Sequence, residues 1–414
     1  MATIKTIHTK FHYFCTTCGK EYDNSQIRYL CPDCESGNTP DLPPKGVLKI
    51  IYDYKNIKPD FDHLKKNNFI DLLPLQSMES MPNLKIGDTP LYKLTVLGEK
   101  QLPFTLFLKD DAQNPTFSFK DRASALVSAY AKEQGIDTII TASTGNAGSS
   151  LAGICAAQKQ QAIILLPENA PLAKITQSLM CGAKVVRVKG SYDEAFDLSI
   201  AVTTELGLYN RNTAFNPLTI EGKKTVAFEM FDQLNRKIPD RIFVPVGDGV
   251  IISGVYKGFE DLINLGIIDK MPVIVAVQAK GSDNLIRNIG KPGFTIKSSS
   301  TIADSISVDI PRNFYMASQF IEKYNGEFIT VTDKEILSAS KTLATNTGLF
   351  AEPAAAAAFA GFYAYYKNGK TENRSTNVVL LTGSGLKDLN AVSGILKIPL
   401  AINPDLNELK KILT

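Results

Sequence analysis

From about residue 104 onward, short apolar runs alternate with helical stretches, and this alternation constrains the fold more than any other feature of the chain. Ile139-Ile140-Thr141, Ala162 to Leu166, Val185 to Val188, Ile242 to Val246, Val273 to Gln278 and Val378 to Leu381 read as buried strands. A small-residue helix over 149–157 and an amphipathic helix from about 192 to 205 lie among them. The pattern predicts an α/β chain with parallel-rich sheets covered by helices on both faces. In such sheets ligands gather at the carboxyl ends of strands. The turns that leave strands are therefore where chemistry is expected.

Lys and Arg total 45 against 42 Asp and Glu, a formal +3 over 414 residues. So even a balance argues against nucleic acid or a membrane surface as partner. No apolar run approaches the ~20 residues of a membrane helix. Met1 to Lys10 lacks a secretory apolar core, so the expected compartment is the cytoplasm. The three histidines, His8, His12 and His63, all lie near the start. A histidine base in the main body, or a histidine-rich catalytic metal site, is excluded on that ground.

Four of the six cysteines form Cys15-x2-Cys18-x12-Cys31-x2-Cys34. In a reducing compartment such paired knuckles favour zinc over disulfides. Four thiolates close the coordination sphere, so the ion is expected to be structural, in a zinc ribbon over 1–45. Only Lys20 and Arg28 lie between the pairs, too thin a basic footprint for nucleic acid. Cys155 and Cys181 sit singly in apolar surroundings, as core thiols do. A Pro-rich linker (Asn38 to Pro44) follows, then an arm over 46–80 expected to pack on the main body.

Three turns and one lysine stand out. Ser143-Thr144-Gly145-Asn146-Ala147-Gly148 joins a strand to a helix and offers free amides to an anion. Gly247-Asp248-Gly249-Val250-Ile251 repeats that geometry and suits a phosphate. Thr382-Gly383-Ser384-Gly385 places a hydroxyl after the last strand. Lys120, in Asn114-Pro115-Thr116-Phe117-Ser118-Phe119-Lys120-Asp121-Arg122, opens a helix with Phe117 and Phe119 beside it. A desolvated lysine there can lose its proton and attack a carbonyl. Amine, anion-ready loops and terminal hydroxyl together are what pyridoxal phosphate requires.

With these residues in view, the chain resembles the threonine synthase branch of the fold-type II, tryptophan-synthase-β-like pyridoxal-phosphate enzymes. The motifs are Gly87-Asp88-Thr89-Pro90-Leu91, Asn114 to Arg122, Thr141 to Asn146, Glu221-Gly222-Lys223-Lys224-Thr225, Val244 to Gly249, Glu352-Pro353-Ala354 and Leu381 to Asp388. The resemblance implies a two-domain enzyme. Residues 46–118 would form an arm and part of the large domain, 119–211 a smaller mobile domain, and 212–414 the large cofactor-binding domain. It further implies Lys120 as the catalytic Schiff-base lysine and Asn146 at the cofactor's phenolic oxygen. Gly247, Asp248, Gly249, Val250 and Ile251 would cradle its phosphate, and Thr382 would meet the ring nitrogen. Ser118, Ser143, Thr144, Gly145 and Asn146 would meet the substrate. A homodimer is implied as well.

Departures from threonine synthases gather in the substrate loops. Thr219 stands where an arginine is common, Lys223 replaces a glutamine, and Arg312 lies in Asp309-Ile310-Pro311-Arg312-Asn313, which replaces an Ile-Gly-Asn-Pro stretch. Lys223 and Arg312 are thus candidate holders of the substrate phosphate, with Arg122 and Lys224 adding positive field. On these departures the expected reaction is that of a cysteate synthase. Phosphate would leave Cβ of O-phospho-L-serine and sulfite would add there. The alternative is threonine synthase, with O-phosphohomoserine and water as substrates. A non-catalytic scaffold docking partners through its ribbon is the reading from a different class.

Overall fold

The computed structural model describes residues 10–143, 145–168, 170, 172–396 and 398–413. Three sheets organise it. The first is antiparallel, with β1 (Phe11–Cys15) between β2 (Glu21–Tyr22) and β3 (Leu48–Tyr52). Phe11, Tyr13 and Cys15 on β1 and Leu48, Ile50 and Tyr52 on β3 are buried, the period-2 pattern of a one-sided sheet. The third ribbon strand therefore comes from beyond residue 45, out of the segment expected to be an arm.

The large sheet contains β4 (Leu91–Leu97) and β5 (Lys100–Asp110). The small sheet holds β6 (Thr138–Ala142), β7 (Gln161–Pro167), β8 (Lys184–Val188) and β9 (Tyr209–Asn210), in the order β8-β7-β6-β9, all parallel. The chain then returns to the large sheet with β10 (Arg241–Pro245), β11 (Val273–Ala279), β12 (Glu327–Val331) and β13 (Thr376–Leu381), in the order β12-β11-β10-β13-β5-β4. Only the edge pair β4–β5 is antiparallel there. Each strand read from the sequence is present. The helix expected over 149–157 begins earlier, as Asn146–Gln158, so Asn146 itself opens it.

Three helices pack close together and set the floor of the site: Lys120–Glu133, Leu218–Gln233 and Val250–Asn264. Their approach needs glycine. A Cβ on Gly222 would lie 2.2 Å from the Arg122 carbonyl oxygen, and one on Gly258 2.4 Å from that of Lys224. The buried helix Pro353–Lys367, with its run Ala354 to Ala358, covers the large sheet. Among the described residues no helix is long and apolar enough to cross a membrane.

Two buried charge networks tie these layers together. Arg122 reaches Asp111 through Nε at 2.6 Å and Nη2 at 2.9 Å, and Glu229 through Nη1 at 2.6 Å. Lys109 joins Glu229 at 2.7 Å. Lys224 is held by Asp261 at 2.6 Å, beside the Tyr52 hydroxyl that donates to Glu221 at 2.6 Å. Arg122 and Lys224 are thus spent on structure, and neither supplies free positive charge to a ligand.

Candidate active site

A cavity of about 220 Å³ opens where the carboxyl ends of β6 and β10 face each other. Its wall brings together Lys120, Ser143, Gly145, Asn146, Lys223 and the whole Gly247–Ile251 loop. These residues come from four separate stretches of sequence, and the sheet topology makes them neighbours. Thr144 lies outside the described residues.

Lys120 opens its helix as expected. Phe119 is buried beside it, whereas Phe117 is 53% exposed in a left-handed conformation and provides no apolar flank. Burial and the charge of Arg211 pull the Lys120 amine down to about 8, with Asp248 and Glu352 opposing. A lysine so tuned holds a usable fraction of free amine near neutrality.

Lys223 is fully buried, and its Nζ finds no hydrogen-bond partner in the protein. Burial, then the charges of Lys120 and Arg211, drive it well below the usual ammonium range. Arg211 is also fully buried. It donates through Nε to the Ser124 hydroxyl at 3.2 Å and through Nη1 to the Thr213 hydroxyl at 3.1 Å, while Nη2 has no partner. Keeping such groups charged in the interior is costly unless an anion arrives to meet them, and an anion would favour the protonated form of Lys223. The site is built to receive negative charge.

The glycine loop supplies more donors. Gly249 has φ +87°, and a Cβ there would meet Ala317 Cβ and Leu285 Cδ1 at 2.9 Å. It ends at the start of the Val250–Asn264 helix, where free amides and the helix dipole favour a phosphate. Asp248 holds the neighbouring loop, its carboxylate accepting the Arg312 N–H at 3.2 Å.

Asn146 donates through Nδ2 to Glu352 Oε1 at 2.7 Å, and its Oδ1 is buried without a partner. Ser143 Oγ accepts the Gly145 and Gly148 amides at 3.1 and 2.9 Å, so its hydroxyl shapes the loop that lies under the cavity.

One expected residue is placed elsewhere. Arg312 pairs with Asp193, lies 4.8 Å above the Phe196 ring, and lines a different cavity next to Leu30 and Phe215. An ion pair and an aromatic face hold its guanidinium against that second cavity, so it is not among the residues that wall the site. Ser118 is fully buried in a bridge to Gly383. The Thr382 carbonyl accepts the Phe119 N–H at 2.9 Å, and a Cβ on the next residue, Gly383, would lie 3.3 Å from Asn146 Nδ2, so this turn stands beside Lys120 and Asn146. Asp304 and Ser305, in the stretch that precedes Asp309 to Asn313, line the cavity, and Tyr192, Thr213 and Ile306 to Val308 do so without having been anticipated. Arg211 was missed because β9, whose end it follows, is only two residues long and leaves no apolar run to read.

The four cysteines converge too. Their sulfurs all lie within 4.8 Å of one another, with Cys15–Cys34 at 3.8 Å and Cys18–Cys31 at 3.7 Å. Tetrahedral thiolates around zinc stand about 3.8 Å apart, from Zn–S bonds near 2.3 Å. Burial resists the thiolate at Cys31, but hydrogen bonds led by the Tyr22 hydroxyl bring it down to about 7.

A lysine amine, a phosphate-ready glycine loop and an asparagine side-chain amide in one cavity are the groups pyridoxal phosphate needs. Residues 83–383 match the family described as "Pyridoxal-phosphate dependent enzyme". The chain belongs to this family. A threonine synthase of Methanocaldococcus jannaschii is 38% identical over 411 residues, covering 96% of this chain and 98% of the relative. One of Methanosarcina acetivorans is 35% identical, covering 97% and 98%. The chain is therefore a pyridoxal-phosphate dependent enzyme of the threonine synthase branch. Solved structures share its fold. Processed threonine deaminase isoform 2 of Solanum lycopersicum has a TM-score of 0.63 at 23% identity, covering 86% of this chain and 88% of its own. Maize serine racemase has 0.60 at 24%, covering 78% and 91%.

Proposed function

We propose that this enzyme is a threonine synthase, converting O-phospho-L-homoserine and water to L-threonine and phosphate. The observation that carries the reading is the end-to-end match to curated threonine synthases, which takes in the ribbon as well as the catalytic body. The site agrees in its charge. Lys223 and Arg211, each with a nitrogen lacking a partner, are suited to hold a phosphoryl group beside Lys120.

The O-phosphoserine and sulfite reading loses its two grounds. Arg312 is engaged by Asp193 and Phe196 outside the cavity. Thr219, where an arginine is missing, turns its hydroxyl to the Asn216 carbonyl at 2.8 Å. Lys223 follows one helical turn later on the same helix face, and so restores a basic group from position i+4.

Pyridoxal phosphate, when bound, supplies the electron sink for a carbanion at the substrate's Cα. The Gly247–Ile251 amides would hold its phosphate, and Asn146 its phenolic oxygen. The free amine of Lys120 takes the Cα proton and later returns it. The Gly145 and Asn146 loop orients the α-carboxylate. Zinc in the four-cysteine cluster and a homodimeric state complete the proposal. Both are checked by metal analysis and light scattering of the purified protein.

The test is direct. Purified enzyme is given O-phosphohomoserine alone and, separately, O-phosphoserine with sulfite, and phosphate and amino-acid products are measured. Threonine from the first supports the reading. Cysteate from the second, with no threonine from the first, overturns it.

A further inference from the structure

The ribbon reaches the catalytic cavity through one side chain. Tyr29 lies two residues before Cys31. Its hydroxyl accepts the backbone N–H of Asn210 at 2.9 Å. Its ring stacks on Phe215, with centroids 4.5 Å apart and planes 11° from parallel, and lies 6.2 Å from the Tyr209 ring. Tyr29 therefore grips both ends of the segment 209–215.

Between those ends stand Arg211 and Thr213. Thr213 lines the cavity, and Arg211 donates to its hydroxyl. The segment is held by its neighbours: the Arg211 N–H donates to the Ile140 carbonyl at 2.8 Å, and Asn212 Oδ1 accepts the Ala142 N–H at 2.7 Å. β9 pairs with β6 through only two residues, and Ala214 is held at φ +65°, a conformation disfavoured for a residue with a Cβ. Such backbone persists only where its surroundings over-determine it. On the ribbon side Tyr29 is itself anchored. Leu30 bridges Val47, and the Cys31 N–H donates to the Gly46 carbonyl at 2.8 Å.

We propose that Tyr29 is a positioning residue for the catalytic cavity: it sets Arg211 and Thr213 through the 209–215 backbone, so that the four-cysteine ribbon braces the anion-receiving wall. The proposal rests on the reading above in which Arg211 holds a phosphoryl group. Tyr29 itself lies outside the residues that wall the cavity. Its effect is on where the cation sits before the ligand arrives.

The experiment uses the full-length protein with Tyr29→Phe and Tyr29→Leu. Hydrogen exchange of the 209–216 peptide, binding of inorganic phosphate by calorimetry, and steady-state kinetics with O-phosphohomoserine are measured. Tyr29→Phe removes one neutral hydrogen bond, so exchange in 209–216 should rise about three- to tenfold. Peptides from β10 and β11 should not change. The phosphate Kd and the KM should rise together, further in Tyr29→Leu, with kcat held within about twofold. Unchanged exchange in 209–216 and unchanged phosphate affinity in both variants would overturn the proposal. So would a uniform acceleration across all peptides, which is general destabilisation. If phosphate fails to bind the parent protein, the phosphoryl reading falls, and the local exchange pattern still decides whether Tyr29 braces the segment.

Discussion

Replacing Lys120 by methionine should make the cofactor-free protein more stable. Burial and the Arg211 charge lower the Lys120 amine to about 8, against an ordinary value of 10.5 that it regains on unfolding. Between those values the unfolded chain binds a proton that the folded chain does not, so the parent's stability rises with pH across that window. Below about pH 8 both states carry the proton, and the folded state bears the full cost of a charged amine in the cavity wall. A displacement of this size corresponds to about 3 kcal/mol. Methionine is uncharged and similar in length, and removes that cost. The variant should lead by about 2–3 kcal/mol at pH 7, and its lead should shrink by about 2 kcal/mol at pH 9.5, where the parent's amine is largely neutral when folded. Urea unfolding of both cofactor-free proteins at the two pH values is the assay. A variant no more stable than the parent at pH 7, or a lead that does not change with pH, would refute the reasoning. The expected result would place the stability cost of this site on the group that does the chemistry.

Other outcomes follow from the same structure. Lys223→Met should raise the KM for O-phosphohomoserine at least tenfold, by about 1.5–3 kcal/mol for a charged hydrogen bond to the bound phosphate, while leaving the fold intact because the lost amine has no partner in the protein. Arg312→Ala, by contrast, should leave that KM within about twofold, since its guanidinium serves Asp193 and Phe196 outside the cavity. Arg122→Ala strands Asp111 as a buried carboxylate without its cation, leaves Glu229 with Lys109 alone, and should cost about 3–5 kcal/mol in denaturant unfolding. Cys31→Ser should abolish stoichiometric zinc by elemental analysis and lower the thermal midpoint; a parent protein purified without metal would contradict the zinc assignment.

Much of this protein was legible along the chain itself. Strand runs such as Ile242 to Val246 are continuous and apolar because both faces of a parallel sheet are covered, and such runs announce themselves without a structure. Glycine-rich turns after strands marked the loops at 143–148 and 247–251 for the same local reason: close backbone approach needs glycine wherever it occurs. The four-cysteine spacing likewise carries its own chemistry, and the sulfurs do converge. What tertiary structure alone decided was which charges are free. Arg122, Lys224 and Arg312 look as available in the sequence as Lys223 and Arg211. Only three-dimensional packing shows that Asp111, Asp261 and Asp193 pair with the first three, whereas among the described residues no carboxylate forms a salt bridge with the last two. The partners lie from 11 to 119 residues away. An electrostatic pairing depends on separation in space, which sequence distance does not encode, and so the charge of the site was settled by the fold.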